Sequence, residues 1–361
     1  LTWADTISQG RVVRDRTGTW PGDPVESGSD GVVMHAVQLV EAVGPDGLRL
    51  VEVDEPHAAD GRVVVDLAAA GVSFPDLLRT MGSYQMVADL PCVLGVEGAG
   101  VVRSAPPGSG VREGDRVAVL ALDGAWQQTV TLDPTAVFPL PDGVSLAAAA
   151  GIVMNYLTVH FALDERARCR AGEVVLVHGA AGGIGVAALR VASALGLTTI
   201  AVVSNDAKAA VAEDNGADHV VRVDGFKDAV KEITVGRGVD IVIDPVGGDR
   251  FTDSLRSLAI GGRAVVLGFT GGSIPTVKVN RLLMNNGSVV GAGWGEYIRV
   301  DPGYPSRQWA ALHPLLESGD LGIPEPTVLS MDRAADALRL LESRTSTGKI
   351  VLDLRSDAER R

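Results

Sequence analysis

The residues most suited to chemistry with a nucleotide stand at Gly179-Ala180-Ala181-Gly182-Gly183-Ile184-Gly185. Before them lies the apolar run Val174–His178, and after them a helical stretch over Ile184–Leu195 that stops at Gly196. Strand, glycine turn and helix is the order that a dinucleotide needs. Gly182 lets a pyrophosphate approach the backbone, and Gly185 lets helix and strand pack closely. The helix start, with Ala181, Gly182, Gly183, Ile184 and Gly185, offers bare amides and positive potential to phosphate. The first position of a strict G-x-G-x-x-G frame is Ala180, but the shifted frame Gly183 to Ala188 matches the G/A variant.

The next strand, Thr198–Val203, runs into Ser204-Asn205-Asp206-Ala207-Lys208. An NAD site places an acid at this point for the ribose 2′-hydroxyl. Ser204 removes the repulsion that an acid would exert on a 2′-phosphate, and Lys208, one turn on, offers it a cation. Asp206 is the counter-argument, and Lys208 also reads as an ordinary solvated helix lysine. The balance favours NADPH.

These motifs need a sheet to hold them. Further strands read as His219–Val223, Val239–Asp244, Arg263–Gly268 and Ser288–Ala292, with helices over Asp206–Asn215, Phe226–Thr234 and Arg250–Leu258 between. Apolar strands alternating with helices imply a buried, doubly wound parallel sheet. Val246 and Gly247 follow its fourth strand, and Gly268, Phe269 and Thr270 follow its fifth. These are carboxyl ends, where ligands of such sheets bind. From about 34 to 155 the texture is different. Short strands (His35–Val40, Arg62–Ala68, Ala99–Ser104, Arg116–Ala121) are broken by Gly and Pro, as in a β-rich domain or barrel. The tail, 296–361, holds a helical run, Met331–Ser343, and a closing strand within Gly348-Lys349-Ile350-Val351-Leu352. Residues 1–33 lack period and read as an upstream extension or disordered arm.

Composition narrows the function classes. The 361 residues are 46% apolar and 21% charged, enough for two cored domains, with a formal net charge of −13. An acidic chain without a Lys/Arg-rich run argues against a nucleic-acid surface. No apolar stretch is long enough to cross a membrane as a helix, and a signal-peptide core is absent. Cys92 and Cys169 do not make a disulfide framework, which suits a reducing cytoplasm. The six histidines lack ligand-type spacing.

Taken together, Ala70-Gly71-Val72-Ser73-Phe74-Pro75-Asp76, Gly82-Ser83-Tyr84-Gln85, Leu90 through Gly95-Val96-Glu97-Gly98-Ala99-Gly100, Gly114-Asp115-Arg116-Val117, the glycine loop and Gly348–Leu352 resemble the medium-chain dehydrogenase/reductase superfamily, and within it the zinc-free quinone oxidoreductase branch. The resemblance covers about Met34 to Leu354. It implies a GroES-like β-barrel catalytic domain (34–155) and a Rossmann domain for NADPH (156–295). The tail would return to the barrel, and a homodimer would join Rossmann sheets edge to edge. Zinc-dependent relatives carry Cys at Ser73 and His at Val96, so no metal ligand is expected; Glu97 then reads as structural. Without a Lewis acid the substrate must accept hydride readily, so the implied reaction is hydride transfer from NADPH to a small quinone or activated enone. Ser73, Tyr84 and Thr158 are its candidate catalytic residues, and Asn155 a candidate contact of the nicotinamide or its ribose. Tyr84 reads equally as packing, His160 as an ordinary helix residue, and Trp294 as either a cleft wall or packing. The alternatives are an enoyl-thioester reductase of the same superfamily and a non-catalytic NADPH-binding protein.

Overall fold

The computed structural model describes residues 33–56, 61–84 and 89–355. The expected arm over 1–33 lies outside them except for Val33, as does Gln85. The described chain divides into two compact units. One comprises the chain up to Met154, Pro305–Glu317 and the part from Ile323 onward; the other comprises Asn155–Tyr304 with Ser318–Gly322.

The first unit is β-rich. Its N-terminal strands are β1 (Val33–Leu39), β2 (Leu48–Asp54), β3 (Val63–Val72), β4 (Cys92–Val93), β5 (Glu97–Ser104), β6 (Arg116–Leu120), β7 (Thr129–Leu132) and β8 (Val137–Pro139), with helix α1 (Phe74–Thr80) between β3 and β4. β3 is almost wholly apolar, Val-Val-Val-Asp-Leu-Ala-Ala-Ala-Gly-Val, because it is central and pairs with both β5 and β7. β1 pairs antiparallel with β2 and β4 in a smaller sheet. Trp126 is fully buried in the core, its indole N–H donating to the Gly71 carbonyl at 3.0 Å.

The second unit carries β9 (Val174–His178), β10 (Thr198–Val203), β11 (His219–Arg222), β12 (Val239–Asp244), β13 (Leu258–Val266) and β14 (Ser288–Gly291) in the order β11-β10-β9-β12-β13-β14. All pairs are parallel, the order of a Rossmann sheet. Helix α2 (Gly183–Ala194) follows β9 and α3 (Asp206–Asp214) follows β10. β13 begins earlier than the sequence suggests. Leu258 pairs with Val239, and a slip past Gly261 (φ 79°) precedes Arg263 pairing with Ile241.

The tail re-enters the first unit at Pro305 rather than at 296. Helix α4 (Trp294–Val300) stays with the Rossmann unit, where Tyr297 and Tyr304 stack on Phe161 at 4.9 and 5.8 Å. Helix α5 (Tyr304–Ser318) then places Trp309 against Phe138, with its N–H on the Pro139 carbonyl at 3.0 Å. Strands β15 (Thr327–Ser330) and β16 (Ile350–Asp353) complete the large sheet, β16 lying antiparallel to β3.

Candidate active site

In the Rossmann unit the expected cofactor residues gather at the carboxyl edge of the sheet. Gly179 follows β9 with φ 61°. A Cβ on Gly185 would stand 2.2 Å from the Gly179 carbonyl oxygen and 2.5 Å from the Ala180 Cα, so only glycine lets α2 lie this close to its strand. Gly182 is the N-cap and supplies no capping side chain. The amides of the first turn, in Gly183, Ile184 and Gly185, have no intrahelical acceptor. Bare amides at a helix start are of the kind that bind an anionic group.

The loop after β12 abuts this turn. A Cβ on Gly179 would lie 3.2 Å from Val246 Cγ2. Buried Asp244 builds that loop: its Oδ1 accepts the amides of Val246 at 2.8 Å and Gly247 at 2.9 Å. Gly247 has φ 67°, and a Cβ there would strike the Phe269 ring at 2.8 Å. Thr270 donates to the Pro245 carbonyl from its amide at 3.1 Å and its hydroxyl at 3.0 Å. Val246, Gly247, Phe269 and Thr270 are therefore one surface, and Gly268 adjoins it. His178, at the end of β9, is fully buried with Nε2 2.8 Å from Ser254 Oγ. Burial drives its pKa down to about 4, against the pull of Asp244, so it is neutral and serves packing.

Ser204 is exposed at the end of β10. Asn205 caps α3 by accepting the Lys208 amide at 2.9 Å, which fixes Lys208 in the first turn. Asp206, the residue that could have favoured NAD, is paired with Arg222. Arg222 lies opposite Val203 in the β10–β11 register, and the sequence reading missed it. Its signal was there only as a cation ending the third strand.

Asn155 is buried and Thr158 half-buried in a helix wound mostly in π form, Val153–Leu157 and Phe161–Arg166, a winding that accompanies functional sites. The Thr158–His160 turn packs against α2. His160 is held below the usual imidazole range by burial, opposed by Asp164. Trp294 is buried at the start of α4.

In the β-rich unit, Ser73 opens α1 and is 7% exposed. Its amide donates to Asp76 Oδ2 at 2.8 Å, part of a capping box between the two residues. Lys349 Nζ donates to Ser73 Oγ at 2.8 Å and to Glu97 Oε1 at 2.6 Å. The second Glu97 oxygen accepts the Met154 amide at 2.8 Å. Glu97 is fully buried, consistent with a structural part, but its partner Lys349 was not anticipated. Tyr84 lies over the guanidinium of Arg79, 5.5 Å from the ring centroid, and Arg79 is ion-paired with Asp123. Ser73 and Tyr84 thus sit at the two ends of α1.

The positions that hold zinc in the related enzymes do not suit it. Val96 offers only hydrocarbon, 4% exposed, Ser73 is a neutral hydroxyl, and Glu97 is held by an ammonium. This donor set lacks the three good ligands of a catalytic zinc.

Asp76 carries a testable charge. Burial raises its carboxyl to about 6, while the Ser73 amide, Arg79 and Lys349 pull it down and Glu97 pushes it up. Because the folded value exceeds the ordinary value of 3.8, this group opposes folding progressively as pH rises from about 4 through 6. Asp76→Asn keeps an acceptor for the Ser73 amide. The variant should gain on the order of 2 kcal/mol over wild type on going from pH 4 to pH 7. Urea melts at both pH values measure this, and an unchanged difference would dismiss the assignment.

Comparisons with known proteins agree with this architecture. Residues 59–142 match the alcohol dehydrogenase GroES-like domain, and residues 183–318 match the zinc-binding dehydrogenase family. The chain is 36% identical over 312 residues to the mouse quinone oxidoreductase-like protein 2, covering 85% of this chain and 89% of that one. Among solved structures it superposes on a probable oxidoreductase from Mycobacterium abscessus with TM-score 0.81, 41% identity, and coverage of 89% of this chain and 99% of that one. The quinone oxidoreductase of Thermus thermophilus, solved also as its NADPH complex, gives TM-score 0.77 and 34% identity, covering 89% of this chain and all of that one. The expected barrel and Rossmann folds are borne out, and the chain belongs to the medium-chain dehydrogenase/reductase superfamily, in its quinone oxidoreductase branch.

Proposed function

We propose that this protein reduces a small quinone or activated enone with NADPH and without zinc. The observation that carries the reading is the uncapped start of α2 behind Gly182, flanked by Ser204, Lys208 and Arg222 on the edge where a 2′-phosphate would be read. The Thermus relative, whose NADPH complex is known, supports the choice of coenzyme. The amides of Gly183, Ile184 and Gly185 would hold the pyrophosphate, with Gly182, whose amide donates to the Gly179 carbonyl, and Ala181 shaping the turn that lets it approach. Lys208 and Arg222 would pair with the 2′-phosphate while Ser204 leaves room for it. Asn155, Thr158, Val246, Gly247, Gly268, Phe269 and Thr270 would fix the nicotinamide end. NADPH supplies the hydride; the protein binds, orients and excludes water. Ser73 would hydrogen-bond the substrate oxygen, and Tyr84 would bound the substrate.

The same reading includes a cytoplasmic homodimer. The two cysteines are free. β14 is an edge strand, and Val289 on it, Leu283 six residues earlier and Ile260 on the neighbouring strand β13 are exposed apolar residues. Light scattering behind a sizing column tests the dimer.

The decisive assay follows loss of NADPH absorbance with panels of quinones, enones and enoyl thioesters, then repeats it with NADH. NADPH should be preferred by about tenfold or more, as expected for a charge-assisted phosphate contact. A chelator should leave the rate unchanged. A clear preference for NADH, or turnover confined to thioesters, would replace this reading.

A further inference from the structure

We propose that Lys349 is the proton source for the substrate oxygen, delivering through the Ser73 hydroxyl. This rests on the reductase reading above, in which NADPH is the reductant.

The hydrogen-bond directions carry the argument. An ammonium has three N–H donors and no acceptor, so at Nζ–Oγ 2.8 Å Lys349 donates and Ser73 accepts. The Ser73 hydrogen must then find another acceptor. Among the described residues it has Glu97 Oε1 at 3.3 Å, an oxygen that already takes the Lys349 N–H at 2.6 Å. The other Glu97 oxygen is used by the Met154 amide. The hydroxyl hydrogen is therefore held by a long, shared bond and gains by turning to an oxyanion. Ser73 is the N-cap of α1, sharing a capping box with Asp76, and its hydroxyl also accepts from Lys349.

Distant segments are shaped to seat this pair. A Cβ on Gly151 would lie 2.5 Å from Lys349 Cγ, and a Cβ on Gly71 would lie 2.6 Å from Glu97 Cγ and Oε1. The β16–β3 register, with Ile350 opposite Val72, brings Lys349 alongside Ser73. Buried ion pairs contribute little net stability compared with apolar side chains of like volume. Stability alone therefore gives no reason for an ammonium here. Besides Glu97 of β5, its charge acts on buried Asp76 of α1, on which Arg79 of the same helix also acts.

The step balances. When two electrons have reached the substrate as hydride, its oxygen bears the negative charge. The Ser73 O–H bond breaks and that proton forms the new O–H bond on the product. A proton from Lys349 Nζ restores the hydroxyl, leaving a neutral amine. Water reprotonates Lys349 after product leaves.

Lys349→Arg keeps a cation for Glu97, but a guanidinium does not release its proton. It should lose about 100-fold or more in kcat with little change in the KM for NADPH, as for loss of a general acid. Lys349→Ala should regain turnover with added methylamine or ethylamine, following the amine's own pKa, and none with guanidinium. A second readout needs no turnover. Absorbance of 4-nitrophenol titrated into the protein should show its bound oxyanion in wild type and a loss of that signal in Lys349→Arg. Wild-type kcat in Lys349→Arg, or a folded Lys349→Ala that amines do not rescue, would overturn the relay while leaving the reductase reading intact. Should Lys349→Ala not fold, Lys349→Arg and the nitrophenol titration decide. No oxidation of NADPH by wild type with any acceptor would remove the reductase reading, and the relay with it.

Discussion

Gly185→Ala should abolish measurable NADPH binding and lower stability, whereas Gly182→Ala should weaken binding with the melting temperature nearly unchanged. The two glycines stand three residues apart in one loop, yet they face different obstacles. At Gly185 the added methyl meets the Gly179 carbonyl oxygen at 2.2 Å and the Ala180 Cα at 2.5 Å, both backbone atoms of the preceding turn. Neither can yield without moving α2 away from β9, and overpacking of this kind costs about 1–3 kcal/mol. The same displacement would draw the α2 amides off the phosphate. At Gly182 the methyl meets the Gly179 oxygen at 3.5 Å, an ordinary contact, and φ of −87° suits any residue. What it occupies is the approach to the bare helix start. An affinity loss of about tenfold to 100-fold would correspond to one or two phosphate hydrogen bonds forfeited. Calorimetric titration with NADPH, beside thermal melts, separates the two effects. Equal affinity in Gly182→Ala and wild type would mean that phosphate does not rest there.

How much of this was visible in the sequence follows from how local each feature is. β9, β10 and β12 could be bounded to the residue because each is a short apolar run closed by turn residues, and burial on both faces demands that pattern. The glycine loop was legible for the same reason, being one contiguous turn. Lys349 was not. It is 276 positions from Ser73, and only the pairing of β16 with β3 brings them together. Arg222 was hidden in a similar way. Its meaning depends on β11 lying beside β10 in a register that sets it opposite Val203. Asp244 could be read as the end of a strand, but not as the acceptor that ties down the two following amides. The π winding around Asn155 leaves no periodic trace, since its turns interrupt the helical repeat rather than extend it. Sequence therefore exposed the groups that act within one turn and concealed those that act across a sheet.

Arg222 makes coenzyme choice a sharper test than Lys208 alone. Neutralising both, as Lys208→Ala with Arg222→Ala, should raise the KM for NADPH by about 100-fold or more, because charge-assisted contacts to phosphate contribute about 1.5–3 kcal/mol each. The KM for NADH should fall rather than rise, since its ribose carries no 2′-phosphate and the loss of Arg222 frees the Asp206 carboxylate. The single Arg222→Ala variant has a further consequence. It releases Asp206 from its ion pair at the edge of the site, and a free carboxylate there both repels a 2′-phosphate and accepts from a 2′-hydroxyl. Its KM for NADH should therefore fall while that for NADPH rises, a reversal that simple loss of a surface cation would not give. Both surface cations are open to solvent screening, so the NADPH preference of wild type should shrink as salt is raised, and that of the double variant should not. If the double variant loses both coenzymes equally, these side chains support the fold of the loop and do not read the phosphate.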